Sequence, residues 1–179
     1  MRDPRGVSLL RYEIAGILFI VFLGSFLHFA YELSESSPLV AVIAAVNESV
    51  WEHLKLAYWP ALFYMILELV FLRGLPKNFV AAKTAGILIM PLVIVAGYYL
   101  YTAFLPESLA IDIGLFIASI VAGQMVGYSL MGRGGEHRWL NLLGAAALVI
   151  MAVAFMVFTF YAPHIDLFRD PITGSYGLA

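Results

Sequence analysis

Long apolar runs separated by short polar clusters set the pattern of the chain. The first runs from about Ile14 to Tyr31. It approaches the ~20 residues a membrane-spanning helix needs. No small-residue cleavage site follows it, so it reads as a retained first helix rather than a signal peptide. A polar break from Glu32 to Ser37 precedes a short apolar piece, Pro38 to Val46. Ser37 as N-cap and Pro38 at the first helical position predict a helix start there. The nine residues of this piece rise only about 14 Å as a helix. It cannot cross the hydrocarbon, and is expected to be re-entrant or interfacial.

Four further apolar runs follow. One begins near Asn47 or Ser49 and ends near Leu72, with Pro60 expected to kink it. The next covers Val80 to Leu105, is interrupted by Pro91, and ends in Tyr98, Tyr99 and Tyr101, residues suited to a membrane interface. The turn Pro106-Glu107-Ser108 leads to a run from Leu109 to Met131 carrying Gly123-x-x-x-Gly127, a spacing that lets helices approach closely. A polar loop, Gly132 to Arg138, precedes the last run, Trp139 to Tyr161. The expected fold is therefore all-α: a polytopic bundle of five transmembrane helices plus one short re-entrant or interfacial helix. Residues 1–162 form a single membrane domain, and residues 163–179 a polar tail rich in turn formers.

Charge orients this bundle. Arg2, Arg5 and Arg11 precede the first helix; Arg73, Lys77 and Lys83 lie between the second and third; Arg133 and Arg138 lie between the fourth and fifth. Five crossings place all eight on one side, which the positive-inside rule makes cytoplasmic. The N-terminus is then cytoplasmic and the C-terminus extracytoplasmic. Only Lys55 and Arg169 fall on the outer side, together with Glu32, Glu35, Glu48, Glu52, Glu107, Asp112, Asp166 and Asp170.

Composition agrees. The 179 residues are 63% hydrophobic and 12% charged, against about 45–50% and about 25% in soluble domains. Mean hydropathy is +0.92, which leaves too little polar surface for a water-soluble shell. A net charge of −2 and the lack of a basic stripe give no nucleic-acid footprint. With no cysteine, disulfides, thiolate metal sites and thiol redox chemistry are excluded. The expected location is the cytoplasmic membrane of a prokaryotic cell, with the lipid bilayer as partner and a homo-oligomer compatible with the pattern.

Chemistry concentrates at one level. His28 and Glu32 are four apart and share a helix face, as do Glu48 and Glu52, and His53 lies about 100° round from Glu52. The first helix ends on the outer side and the second begins there, so the two pairs are expected to converge. Asn47 adds an amide, and His164 and Asp166 reach the same level after the last helix. Imidazoles and carboxylates on facing helices suit a hard or borderline divalent cation. The expected metal set is His28, Glu32, Glu48, Glu52, His53 and His164, with Asn47 and Asp166 as further polar groups.

Plainer roles compete for the same residues. Ser49-x-x-Glu52 fits a capping box. Lys55 lies three residues from Glu52 and can pair with it. Glu48 suits a helix N-terminus through the dipole alone. His28 can bond a neighbouring helix, and His164 can be an ordinary tail residue. Trp51 and Trp59 read as interfacial anchors, and His137, between Glu136 and Arg138, reads as solvated. No nucleophile elbow, P-loop or His-Glu-x-x-His pattern is present.

The segments His28-Phe-Ala-Tyr-Glu32, Asn47-Glu-Ser-Val-Trp-Glu-His-Leu-Lys55 and Pro163-His-x-x-Leu-Phe-x-Asp-Pro-x-Thr-Gly-x-Tyr-Gly177 resemble a family of small prokaryotic integral membrane proteins known only as a domain of unknown function. The resemblance covers nearly the whole chain. It implies a five-helix membrane domain and no particular activity.

Two function classes are expected. One is binding or transport of a divalent cation or cationic solute at the outer face. Transport needs an inward polar route, for which Glu68, Ser119, Gln124, Tyr128 and Asn141 are the candidates, and Glu68 sits close enough to Arg73 to be paired there or to snorkel. The other is a metal-dependent hydrolase or transferase acting on a lipid or isoprenoid, with Glu48 or Glu52 as general base beside a metal-activated water. An accessory subunit that docks through its outer surface is a third option.

Overall fold

The computed structural model describes residues 9–131, 133 and 138–178. Arg2, Arg5, Glu136 and His137 lie outside the described residues. The described chain folds into six α-helices: α1 (Leu9–Leu33), α2 (Pro38–Ala41), α3 (Val50–Phe71), α4 (Phe79–Thr102), α5 (Leu109–Leu130) and α6 (Arg138–Phe160). A single 3-10 turn, Asp166–Phe168, follows. Among the described residues there is no strand, only an isolated antiparallel bridge between Arg169 and Tyr176. All helices but α2 are long and apolar enough to cross a membrane.

Helices α3 and α4 form the centre. About half of their most apolar stretches is buried (56% and 50%), against 22–28% for α1, α5 and α6. Helix α1 packs on α3 and α5, while α5 and α6 pack on α4. The outer surface remains apolar: Phe22, Val70, Leu92 and Ile150 are 64–73% exposed, as expected where lipid tails rather than water surround the helices.

Close approach explains three glycine positions. Pro60 has no N–H to give the carbonyl of Leu56 one turn back, yet α3 continues through it. Gly24 of α1 lies against that carbonyl, and a methyl group there would collide with the Leu56 oxygen. Between α4 and α5, Gly86 and Gly123 face each other so closely that a side chain on either meets the other's carbonyl. Of the Gly123-x-x-x-Gly127 spacing, Gly123 makes the tight crossing, whereas a Cβ at Gly127 would be at an ordinary 3.5 Å from Ala82 O.

The short segment after α1 departs from expectation. Two non-glycine residues, Glu35 (φ 55°) and Ser36 (φ 60°), adopt left-handed conformations and reverse the chain. Pro38 starts α2 as expected, but the helix lasts only four residues, Pro38–Ala41, and Ser37 makes no side-chain cap. Turns and loop backbone replace helix from Val42 to Val46. The reason is tertiary: the carbonyl of Ala41 accepts from Lys55 Nζ (2.8 Å) and the N–H of Val46 donates to Glu52 Oε2 (3.1 Å). Side chains of α3 thus take the backbone groups that a longer helix would have paired.

Candidate metal centre

The loop into α3 is built residue by residue. Ser49 is the N-cap, its Oγ accepting from the N–H of Glu52 at 3.3 Å. The return arm of a capping box is supplied by Asn47, whose Oδ1 accepts from Ser49 N at 2.9 Å. Asn47 Nδ2 also donates to the carbonyl of Gly177 at 2.9 Å, which fastens the tail to this loop. Glu48, between these two anchored residues, is half exposed and faces α1 across the start of α3.

His28, Glu48 and His53 each offer a donor atom within 4.8 Å of the other two. His53 Nε2 lies 3.4 Å from Glu48 Oε2, and the rings of His28 and His53 have centroids 5.2 Å apart. The tautomer of His53 follows from its other nitrogen. Nδ1 is 2.9 Å from the carbonyl of Ser49. A carbonyl only accepts, so Nδ1 carries the ring hydrogen. A neutral His53 therefore points the bare lone pair of Nε2 at a carboxylate, and that contact is attractive only with a positive charge between or on them. A second proton supplies it, and so does a metal ion. Donation of the remote N–H to a backbone carbonyl is also what orients histidine ligands in metal sites. When the His53 ring carries the second proton, its hydrogen bond holds the Glu48 carboxyl below the ordinary carboxylate range, against the opposing effect of partial burial.

The spacing also fits an ion. Two ligands at ~2.0–2.1 Å from a tetrahedral zinc are about 3.3 Å from each other, near the observed 3.4 Å. His28 and Glu48 line a cleft of about 420 Å³ between the end of α1, the 45–48 loop and the tail. His28 Nδ1 is shielded from solvent and has no protein partner.

Other residues expected in the metal set are placed differently. Glu52 turns away from the triad into the bundle, where its Oε2 meets Lys55 Nζ at 2.5 Å and its Oε1 accepts from Thr159 Oγ1 at 3.0 Å. Its carboxylate is spent on this clamp because Lys55, one turn on, is sealed in the same apolar surroundings. Glu32 is exposed on the wall of the cleft and is not one of the three converging residues. His164 stacks on Tyr176 with ring centroids 4.5 Å apart, and Asp166 opens the 3-10 turn, exposed to solvent. Neither joins the triad, because the tail folds back to pack Phe168 on Trp51 (4.7 Å) and Phe158 (5.5 Å). Trp51 accordingly sits in an aromatic cluster with Phe155, Phe158 and Phe168.

A second ionic cluster lies at the opposite end of the bundle. Lys83 of α4 meets Glu13 of α1 at 2.9 Å and Glu68 of α3 at 2.6 Å, with all three side chains at most 3% exposed. The Tyr64 ring lies 5.6 Å from Lys83 Nζ, and Gln124 Nε2 donates to the carbonyl of Glu13 at 3.4 Å. Glu68 pairs with Lys83 rather than with Arg73, which is exposed. Sequence reasoning left out Glu13, just ahead of the first apolar run, and assigned Lys83 to a loop. The available signal was spacing: Glu13, Glu68 and Lys83 each lie within two turns of a helix end on the same side.

Residues 1–178 match the family of unknown function DUF6512. The chain belongs to that family. The resemblance carried by the Asn47 and Pro163 segments thus holds over the full described length. No curated protein and no solved structure matches the chain. What this DUF6512 member does must be argued from its own residues.

Proposed function

We propose that this protein binds a divalent cation through His28, Glu48 and His53 at the extracytoplasmic face of the cytoplasmic membrane of a prokaryotic cell. The orientation rests on the distribution of basic residues, which places Arg11, Arg73, Lys77, Arg133 and Arg138 at the cytoplasmic end. In it, α2 and its loop form a re-entrant element beneath the outer surface. One observation carries the reading: His53 Nδ1 meets the Ser49 carbonyl at 2.9 Å while Nε2 faces the Glu48 carboxylate at 3.4 Å, with a His28 nitrogen in the same 4.8 Å set. Two imidazoles and one carboxylate form a donor set for a borderline ion such as zinc, with the fourth position open to the cleft.

Transport is the less favoured use of such a site. Between the triad and the Glu13–Lys83–Glu68 cluster the bundle is filled by fully buried Ile20, Tyr58, Met90 and Ile120. A metal-dependent hydrolase or transferase acting on a lipid or isoprenoid is the second reading, favoured by the open cleft beside the triad. There the ion would activate water, with Glu48 as the nearest base.

Metal analysis after purification without chelator tests the proposal, with zinc and manganese added to the purified protein as probes. Near-stoichiometric metal in the native protein, lost in Glu48→Gln and in His53→Ala, is the expected result. No metal in the native protein, with or without added ions, removes it.

A further inference from the structure

His28 and Glu48 of the triad line one side of a much larger space. The cleft of about 420 Å³ equals the liquid volume of roughly 14 waters at about 30 Å³ each, far more than a bare cation fills. Its other walls show what kind of guest it accepts, once the groups already satisfied are set aside. Asp170 spends both oxygens on Ile172 N (2.8 Å) and Thr173 Oγ1 (2.7 Å). The hydroxyls of Thr173 and Ser175 bond each other at 2.7 Å. Asn47 holds Ser49 and Gly177.

Outside these bonds, the lining residues with polar side chains are Glu32, whose carboxylate is exposed, Tyr31, and the triad's own His28 and Glu48. No Lys or Arg is among the described lining residues. Without metal, the carboxylates of Glu32 and Glu48 give this lining negative charge with no lysine or arginine to offset it, which favours a cationic over an anionic guest. Ala45, Ile172 and Leu178 add apolar wall, which suits a carbon skeleton rather than a hydrated ion. The tail forming this wall is fixed by Asn47 Nδ2 on Gly177 O and by Leu178 N on Thr159 O (2.7 Å), so the cleft is a preformed space.

We infer that this cleft binds the ammonium group of an organic amine, with Glu32 as its counter-ion and Tyr31 as a second acceptor, beside the cation site of His28, Glu48 and His53. The inference deepens the proposed function by naming the co-ligand of that site, but Glu32 and Tyr31 lie outside the triad. An ammonium of this kind comes either from a free amine or from an amine-bearing lipid headgroup.

Calorimetric titration of the purified full-length protein in maltoside detergent, metal-free and zinc-loaded, tests this with ethanolamine and spermidine as probes and glycerol phosphate as the anionic control. The expected result in the metal-free protein is amine binding without phosphate binding. Glu32→Gln weakens it tenfold or more and Tyr31→Phe severalfold, with metal content unchanged in both variants. Nanodiscs containing phosphatidylethanolamine then identify the source: competition with ethanolamine assigns the site to the lipid headgroup, and undiminished ethanolamine binding assigns it to a free amine. No amine binding by the native protein, equal affinity in Glu32→Gln, or preference of the metal-free protein for glycerol phosphate overturns the inference. A protein that takes amine but no metal loses the cation centre and keeps the ammonium site; one that takes metal but no amine does the reverse.

Discussion

Lys55 Nζ and Glu52 Oε2 lie 2.5 Å apart with 0% and 1% of their side chains exposed. The pair does more than neutralise itself. Lys55 also donates to Ala41 O and Thr159 Oγ1, and Glu52 also accepts from Val46 N and Thr159 Oγ1. One ion pair therefore holds the broken segment after α1, the start of α3 and the end of α6 in a single arrangement, and the loop carrying Glu48 rests on it.

Breaking this pair on one side strands a buried charge. Glu52→Ala is expected to cost about 3–5 kcal/mol, seen as a large fall in Tm in detergent. The double variant Glu52→Leu/Lys55→Met removes both charges and is expected to recover part of that loss. If Glu52→Ala melts like the native protein, the clamp does not carry the loop.

Lys83 bridges three helices at the other end of the bundle. Lys83→Met leaves Glu13 and Glu68 facing each other without a cation, again a cost of about 3–5 kcal/mol. Glu13→Gln/Glu68→Gln added to Lys83→Met is expected to restore stability, because the charges then disappear together. Thermal unfolding of the single and triple variants measures the difference.

Acid should act on the metal-free triad in a defined direction. The Glu48 carboxyl is held below its ordinary 4.5 by the protonated His53 ring. A folded-state value below the unfolded one gives stability that is complete above about 4.5 and is lost as pH falls through the folded value. Glu48→Gln should therefore flatten the acid limb of Tm against pH in metal-free protein. In the metal-bound form, protons compete with the ion for His53 Nε2, so affinity should fall on acidification. A pH series of zinc titrations checks it.

Helix crossings give a packing test. Gly86→Ala forces α4 from α5 at Gly123 and is expected to cost about 1–3 kcal/mol. Gly114→Ala is the control, since a Cβ there meets nothing within 4 Å; removing a helical glycine should stabilise by about 0.5–1 kcal/mol. Paired melting curves distinguish the two.

The tail should loosen when its anchor is cut. Asn47→Ala removes the bond to Gly177 O and the Asx bond to Ser49 N. Faster amide exchange across residues 166–178, with the spans unchanged, is the expected pattern in hydrogen–deuterium exchange.

Apolar run length by itself determined the number of long helices, because burying backbone in lipid demands one uninterrupted helix of about 20 residues per crossing. The Ser49 cap and the expected bounds of α3 through α6 were legible to within a few residues for the same local reason. His28, Glu48 and His53 were legible as candidates from spacing on facing helix ends.

Only the tertiary structure decided which of the clustered polar groups share a site. Glu52 is one residue from His53, yet it points inward to Lys55 while His53 meets Glu48, a choice set by what α6 and the Ala41–Val46 backbone offer from elsewhere in the chain. Glu13, Glu68 and Lys83 come together across 70 residues of sequence, and α2 stops at Ala41 because α3 takes its backbone groups. Helix existence follows from local hydrophobicity and backbone hydrogen bonding. The partner of a buried charge depends on long-range geometry, and a one-dimensional pattern does not contain it.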